Sequence, residues 1–220
     1  MRKTLAKRAL GPLVILIGIN MNMINEVMAQ DSLQYELNKD ATLDHILELE
    51  GGYANKSADR GGETMYGITA KTLDDLKSKH GYYTQFRTVR DLTTEAAKNI
   101  FADEFLVNNE TNYGRNKVAL KMTELGVNTG AGNATMIMQR ALNDLWQETI
   151  IDDDGRMGPG TRDLYQEALN TFGVDAIVES VTKMQEEFYH RIVDSDQTQD
   201  VFLQGWLNRA QDARQFFWNF

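Results

Sequence analysis

Glu50 and Asp59 are the two side chains whose types and spacing suit acid–base chemistry on a glycosidic bond. Such a bond breaks when a carboxylic acid that keeps its proton near neutral pH protonates the leaving oxygen. A second carboxylate then activates water or faces the developing cation. Glu50 closes a run with Leu43, Ile46 and Leu47 at helical spacing and precedes Gly51, Gly52 and the aromatic Tyr53. A carboxyl at such a helix end can sit at the floor of a cleft, where partial desolvation raises its pKa. Asp59 can face back over the same cleft, and Thr64 can orient a water through its hydroxyl. On spacing alone, a glutamate at a helix end is more often a solvated surface group. Asp59 and Arg60 read equally as a turn with an exposed charge, and Thr64 as a residue that caps or bridges a strand.

The elements that must position these residues are mostly helical. Thr42 offers an N-cap for the helix ending at Glu50, and Gly51 and Gly52 stop it, because glycine takes the left-handed conformation that closes a C-terminus. Tyr53 to Thr69 holds several glycines and no helical period, which predicts a short hairpin or irregular lobe. Helices follow over Ala70–Ser78, from Thr93 with a buried stripe of Ala97, Ile100, Phe101 and Phe105, over Val118–Val127, and over Asn133–Trp146. Thr161 offers a cap for the next helix, and Asp175–Asp194 forms another. Trp206 pairs with Phe202 at helical spacing and is read as core, with sugar stacking by Trp206 or Trp218 as the alternative. Asp152, Asp153, Asp154 and Gly155 look like half of a calcium loop, but position twelve is Asp163 where a glutamate is needed, so a tight polar turn is the reading preferred.

Composition narrows the classes. The 220 residues are 42% apolar, enough for a real core, and the formal charge is −9. Arg2, Lys3, Lys7 and Arg8 sit in the first eight residues, leaving 19 basic groups against all 32 acidic ones. Such a body is repelled by nucleic acid, so none is expected as a partner. There is no cysteine and there are three scattered histidines, so neither a disulfide framework nor a metal site is expected. The basic head followed by the apolar run Ala9–Ile24 has the pattern of an export signal. Cleavage after Ala29 and an uncleaved, releasable anchor in the inner membrane both fit, and either places the body in the periplasm through the host export machinery.

The string Glu50-Gly-Gly-Tyr53, followed by Ala58-Asp59-Arg60-Gly61-Gly62, Thr64 and Gly67-Ile68-Thr69, closely resembles the signature of the glycoside hydrolase family 108 muramidases. These occur in phage endolysins and in bacterial proteins that open the wall for secretion. Leu125-Gly-Val-Asn128-Thr-Gly130 is similar to a helix-ending segment of that family. Leu142-Asn143, Asp154-Gly155, Gly158-Pro159, Thr161 and Gly205-Trp206-Leu207-Asn208-Arg209 resemble the associated peptidoglycan-binding domain. The order Glu50, Asp59, Thr64 is also similar to the Glu/Asp/Thr triad of phage-type lysozymes.

The resemblance implies a mainly α protein, with a lysozyme-like α+β lobe carrying a small hairpin and packed on a helical C-terminal domain. The implied segments are an export segment 1–29, a linker 30–41, a muramidase domain 42–131 and a peptidoglycan-binding domain 132–220. It implies Glu50 as the acid, assisted by Asp59 and Thr64, and substrate contacts from Tyr53, Arg60, Tyr66 and Asn128. Asn128 reads equally as a cap of a helix end. Glu63 stands where the family often has proline or a small residue, so Asp59 and Glu63 are both open as the second carboxylate. The implied activity is cleavage of bacterial peptidoglycan by a monomer without metal or organic cofactor, for lysis of a host cell. A lytic transglycosylase and a non-catalytic wall-binding or secretion-accessory protein are the rival readings.

Overall fold

The structure is a computed structural model that describes residues 21–55 and 63–220. Residues 1–20, with most of the export segment, and residues 56–62, with Asp59 and Arg60, lie outside the described residues. The chain divides into a short N-terminal unit ending at Gln34 and a main body from Tyr35 to Phe220. Among the described residues no helix is long and apolar enough to cross a membrane.

Helix α1 (Met21–Glu50) is longer than the sequence pattern suggests: the expected linker 30–41 is helical throughout. Thr42 is therefore no N-cap; it is buried mid-helix, and its hydroxyl donates to the Asn38 carbonyl at 2.7 Å. Polar residues such as Gln, Glu and Lys propagate a helix well even without an apolar stripe, which is why the segment looked like a linker. From Leu43 onward α1 buries one face, and Gly51 (φ +72°) ends it with its N–H on the Leu47 carbonyl at 3.1 Å.

The predicted hairpin is a three-stranded antiparallel sheet of β1 (Tyr53–Ala54), β2 (Thr64–Met65) and β3 (Ile68–Thr69), in that order. Tyr53 pairs with Met65 and Thr64 with Thr69. Two residues, Tyr66 and Gly67, connect β2 to β3, and both have positive φ (52° and 72°). That is the signature of a type I′ hairpin turn, which normally takes Asn or Gly at its first central position. A tyrosine there carries backbone strain, a condition met mostly at functional sites.

After α2 (Ala70–Lys79) comes α3 (Thr94–Phe101), capped as expected by the Thr93 hydroxyl accepting from the Ala96 N–H at 3.1 Å. It continues through a π-helical turn (Ala102–Leu106) into α4 (Val107–Tyr113). The π turn corrects one reading. Phe101 and Leu106, five apart, are both 3% exposed, so the buried stripe steps by five at this point. Phe105, which 3.6-residue spacing assigns to the stripe, is displaced to half-buried.

The C-terminal half consists of α5 (Lys117–Thr129), α6 (Ala131–Trp146), α7 (Pro159–Ser195) and α8 (Asp200–Trp218). Helix α7 breaks at Gly173 (φ 82°), which gives the two helices the sequence predicts there. Its cap is Gly158 with Pro159 at the first position; Thr161 is buried inside the first turn, accepting from the Gln139 side-chain amide at 3.1 Å. Two apolar clusters hold the body together. One joins Leu43, Ile46 and Leu47 of α1 to β3, α2 and α3, and the other joins α5 to α6, α7 and α8. Each fully buried leucine, isoleucine or phenylalanine in them contributes about 1.5–3 kcal/mol. Trp206, expected in the core, is only half-buried, stacked between Tyr189 and an exposed Phe202.

Candidate active site

Glu50 lies one helical turn beyond Ile46 and Leu47, so it shares their face of α1 and its carboxyl is carried inward rather than into solvent. The side chain is 18% exposed. Four features act on it. Burial raises its pKa from the ordinary carboxylate value, and the negative charge of nearby Glu124 adds to that; the Arg209 guanidinium opposes it, and the net shift is upward. The last turn of α1 presents its carbonyl ends, which also disfavours an anion.

The two carboxylate oxygens face different surroundings. Oε1 is 2.9 Å from Nη2 of Arg209, close enough for an ion pair but off the line of a hydrogen bond. Oε2 lies against the hairpin turn, where a Cβ added to Gly67 would sit 2.5 Å from it. Gly67 is required both for its positive φ and for this close approach.

Arg209 comes from α8, and its Nε donates to Oε1 of Glu124 at 3.0 Å. Glu124 is fully buried, and its other oxygen accepts from Lys121, also fully buried, at 3.0 Å. Burial alone would raise the Glu124 pKa, yet Lys121 and Arg209 together hold it below the ordinary value. Lys121 also donates to Gln185 at 2.8 Å, Gln185 to the Tyr189 hydroxyl at 2.8 Å, and Tyr189 to the Asn128 carbonyl oxygen at 2.6 Å. Helix α5 is buried all round from Val118 to Gly126, so its two charged residues must be paired, and they reach Glu50 through Arg209.

Beside Glu50 is a cleft of about 200 Å³ walled by Tyr66, Gly67, Phe101, Glu104, Phe105 and Val127. Of the expected site residues, the structure brings Glu50 and Tyr66 together here. Thr64, in β2, is half-buried and is not part of the cleft wall. Tyr53 is 43% exposed; its hydroxyl donates to Glu63 at 2.6 Å, and the Arg90 guanidinium lies 4.7 Å from its ring centre. Glu63, paired with Tyr53 and Arg90, has its pKa lowered by those contacts and stands outside the cleft wall. Asn128 is neither in the cleft wall nor free: its side-chain oxygen accepts a hydrogen bond from the Tyr189 hydroxyl. Asp59 and Arg60 lie outside the described residues.

Sequence reading missed Glu104 and Phe105 as cleft residues, and Arg209 and Glu124 as neighbours of the acid. A Lys-x-x-Glu pair inside the otherwise apolar run of α5 was the available signal. Among the described residues no group of side chains has the arrangement of a metal site, and Asp154 serves a turn, accepting from the Arg156 N–H at 2.9 Å and from Gln139 at 2.9 Å.

Residues 43–130 match the family described as Glycosyl hydrolase 108, and residues 133–211 match the one described as Predicted Peptidoglycan domain. Among solved structures, that of Brucella abortus SagA is similar in fold, with a TM-score of 0.61 and 21% identity over 84% of this chain and 96% of that one. No curated protein matches the chain.

Proposed function

Because residues 43–130 belong to the glycosyl hydrolase 108 family and residues 133–211 form a predicted peptidoglycan domain, the chain is a glycoside hydrolase acting on peptidoglycan, and we propose that it is a muramidase whose general acid is Glu50. The bond cleaved is the β-1,4 link between N-acetylmuramic acid and N-acetylglucosamine. The observation that carries this reading is the Glu50 carboxyl in its cleft, four-fifths shielded from water, with its pKa raised by burial.

The split surroundings of the carboxylate support one place for the proton. Oε1 faces a permanent cation, so negative charge collects there, and the proton belongs on Oε2 beside Gly67. From Oε2 it passes to the glycosidic oxygen as the C1–O bond breaks. The glycosyl cation left behind needs a negative group or an activated water, a role for Asp59 assisted by Thr64; Glu104 is a second carboxylate in the cleft wall. Tyr66 lines the sugar site, and contacts to sugars further along the strand are the role we assign to Tyr53, Arg60 and Asn128. Water completes the reaction, and the acid regains its proton.

The basic head and apolar run at the N-terminus support export to the periplasm, cleaved or tethered to the inner membrane, and lysis of a host cell from within as an endolysin. Deleting residues 1–29 then abolishes lysis from inside while activity on isolated walls is kept.

Glu50→Gln keeps the shape but removes the acid. Digestion of purified walls, with product masses read, should show muramic acid reducing ends from the wild type and a loss of at least about 100-fold in the variant. Activity within a few-fold of wild type rejects the assignment. Anhydro-muramic ends would make the protein a lytic transglycosylase, and tight wall binding with no new ends would make it a binding protein.

A further inference from the structure

A second groove of about 200 Å³ opens between α4, α5 and α6, walled by Asn108, Asn112, Met122, Ala134, Thr135 and Met157. It meets the Glu50 cleft at two residues that line both, Glu104 and Phe105. We propose that this groove is a saccharide subsite, in which an N-acetylated sugar of the glycan strand stacks on Phe105 and is held by the side-chain amides of α4. The inference rests on the glycan-cleaving reading and extends it.

Three observations carry it. The π turn takes Phe105 out of the buried stripe that Phe101 and Leu106 continue, leaving a half-buried ring at the junction of the two cavities. π turns interrupt helices mostly where function requires it. The ring rests on Gly126, where an added Cβ would lie 2.9 Å from its Cδ1, so α5 supplies a seat that no larger residue allows. Apart from Glu104 the wall side chains are neutral: amides and a hydroxyl above an apolar floor. Asn109 is committed to the Thr123 hydroxyl at 3.1 Å, whereas Asn108 is exposed on the rim. Glu104, the carboxylate at the junction, is paired with Lys79 at 2.7 Å. Ring-face stacking, amide hydrogen bonds and a pocket for an acetamido methyl suit an uncharged N-acetylated sugar. A stem peptide, with its free carboxylates and amine, would meet only one charged wall residue, Glu104, which is already paired with Lys79. A strand bound across Glu50 must place sugars beyond the scissile bond, and this groove adjoins the cleft at Glu104 and Phe105.

The test uses the full chain carrying Glu50→Gln, so that binding is read without turnover. N-acetylglucosamine tetramer, and separately a wall stem peptide, are titrated while the side-chain amide signals of Asn108 and Asn112 are followed by NMR. The tetramer should shift both signals. Phe105→Ala, and Thr135→Trp, which fills the groove, should each weaken tetramer binding by about tenfold, the scale of one stacking or hydrogen-bond contact. The paired variant Asn108→Ala, Asn112→Ala gives the same loss, with the thermal midpoint measured alongside because Asn112 is half-buried and accepts from Arg162 at 3.5 Å. No shift with the tetramer, a shift with the peptide alone, or unchanged affinity in that paired variant overturns the proposal. Failure of the hydrolase reading would show separately, as no release of reducing ends by the wild-type protein.

Discussion

Replacing Arg209 by methionine removes the cation that faces Glu50 among the described residues, 2.9 Å from its Oε1, and one of the two cations that neutralise Glu124. Two unit charges about 4 Å apart interact by roughly 4 kcal/mol at the effective dielectric typical of protein sites. One pKa unit is 1.36 kcal/mol, and an opposite charge at this range moves a carboxyl by roughly 1–3 units. The Glu50 pKa already lies above its ordinary value with Arg209 present; without it, burial and the Glu124 charge act unopposed. A general acid works only while protonated, so the alkaline limb of kcat/KM should move up by roughly 1–3 pH units. The plateau should fall, because a weaker acid gives up its proton less readily. His45, stacked on Phe216, has its pKa lowered by burial, so it stays neutral as the limb is followed upward from neutral pH. The assay is reducing-end release from purified walls across pH, with the thermal midpoint measured alongside, because Glu124 keeps only Lys121. Arg209→Lys restores a cation and should bring the limb back toward wild type. An alkaline limb of the methionine variant at or below the wild-type position would refute the electrostatic reasoning.

Lys121→Met leaves the buried Glu124 with Arg209 alone and should cost about 3–5 kcal/mol in urea unfolding; a loss under about 1 kcal/mol means the pair is not needed. Glu50→Gln should raise the melting temperature at pH 7. A carboxyl whose folded pKa is above its unfolded value lowers stability as pH rises past the unfolded value, so the gain should be full above the folded pKa and vanish at about pH 4. Equal melting temperatures at both pH values would contradict the desolvated environment. Gly67→Ala places a Cβ 2.5 Å from Glu50 Oε2 at a backbone φ of +72°. It should cost about 1–2 kcal/mol in stability and reduce kcat far more than it changes KM, and a variant with wild-type kcat would show that the close approach is unimportant.

Much of the fold was legible in short stretches of sequence. The stripe Leu43, Ile46, Leu47, Glu50 and the stop at Gly51 follow from helical period and glycine's conformational freedom, and both stand in the structure. The same holds for the hairpin lobe, the Thr93 cap and the two separate helices that meet within α7. Leu33 to Lys39 reads as either a linker or a frayed helix, because polar residues without an apolar stripe are compatible with both, and the structure has it helical.

The surroundings of Glu50 belong to the other category. Arg209, far along the chain on α8, meets Glu50 only because α5 packs between the two apolar clusters and holds Glu124 where the guanidinium can reach both carboxylates. Phe105 moved from core to cleft because one π turn shifts the phase of everything after it, a change invisible to a 3.6-residue period. Local order follows from neighbours within a few residues, which sequence lists directly. A desolvated charge and the cleft beside it are sums over atoms that only the folded chain brings near each other.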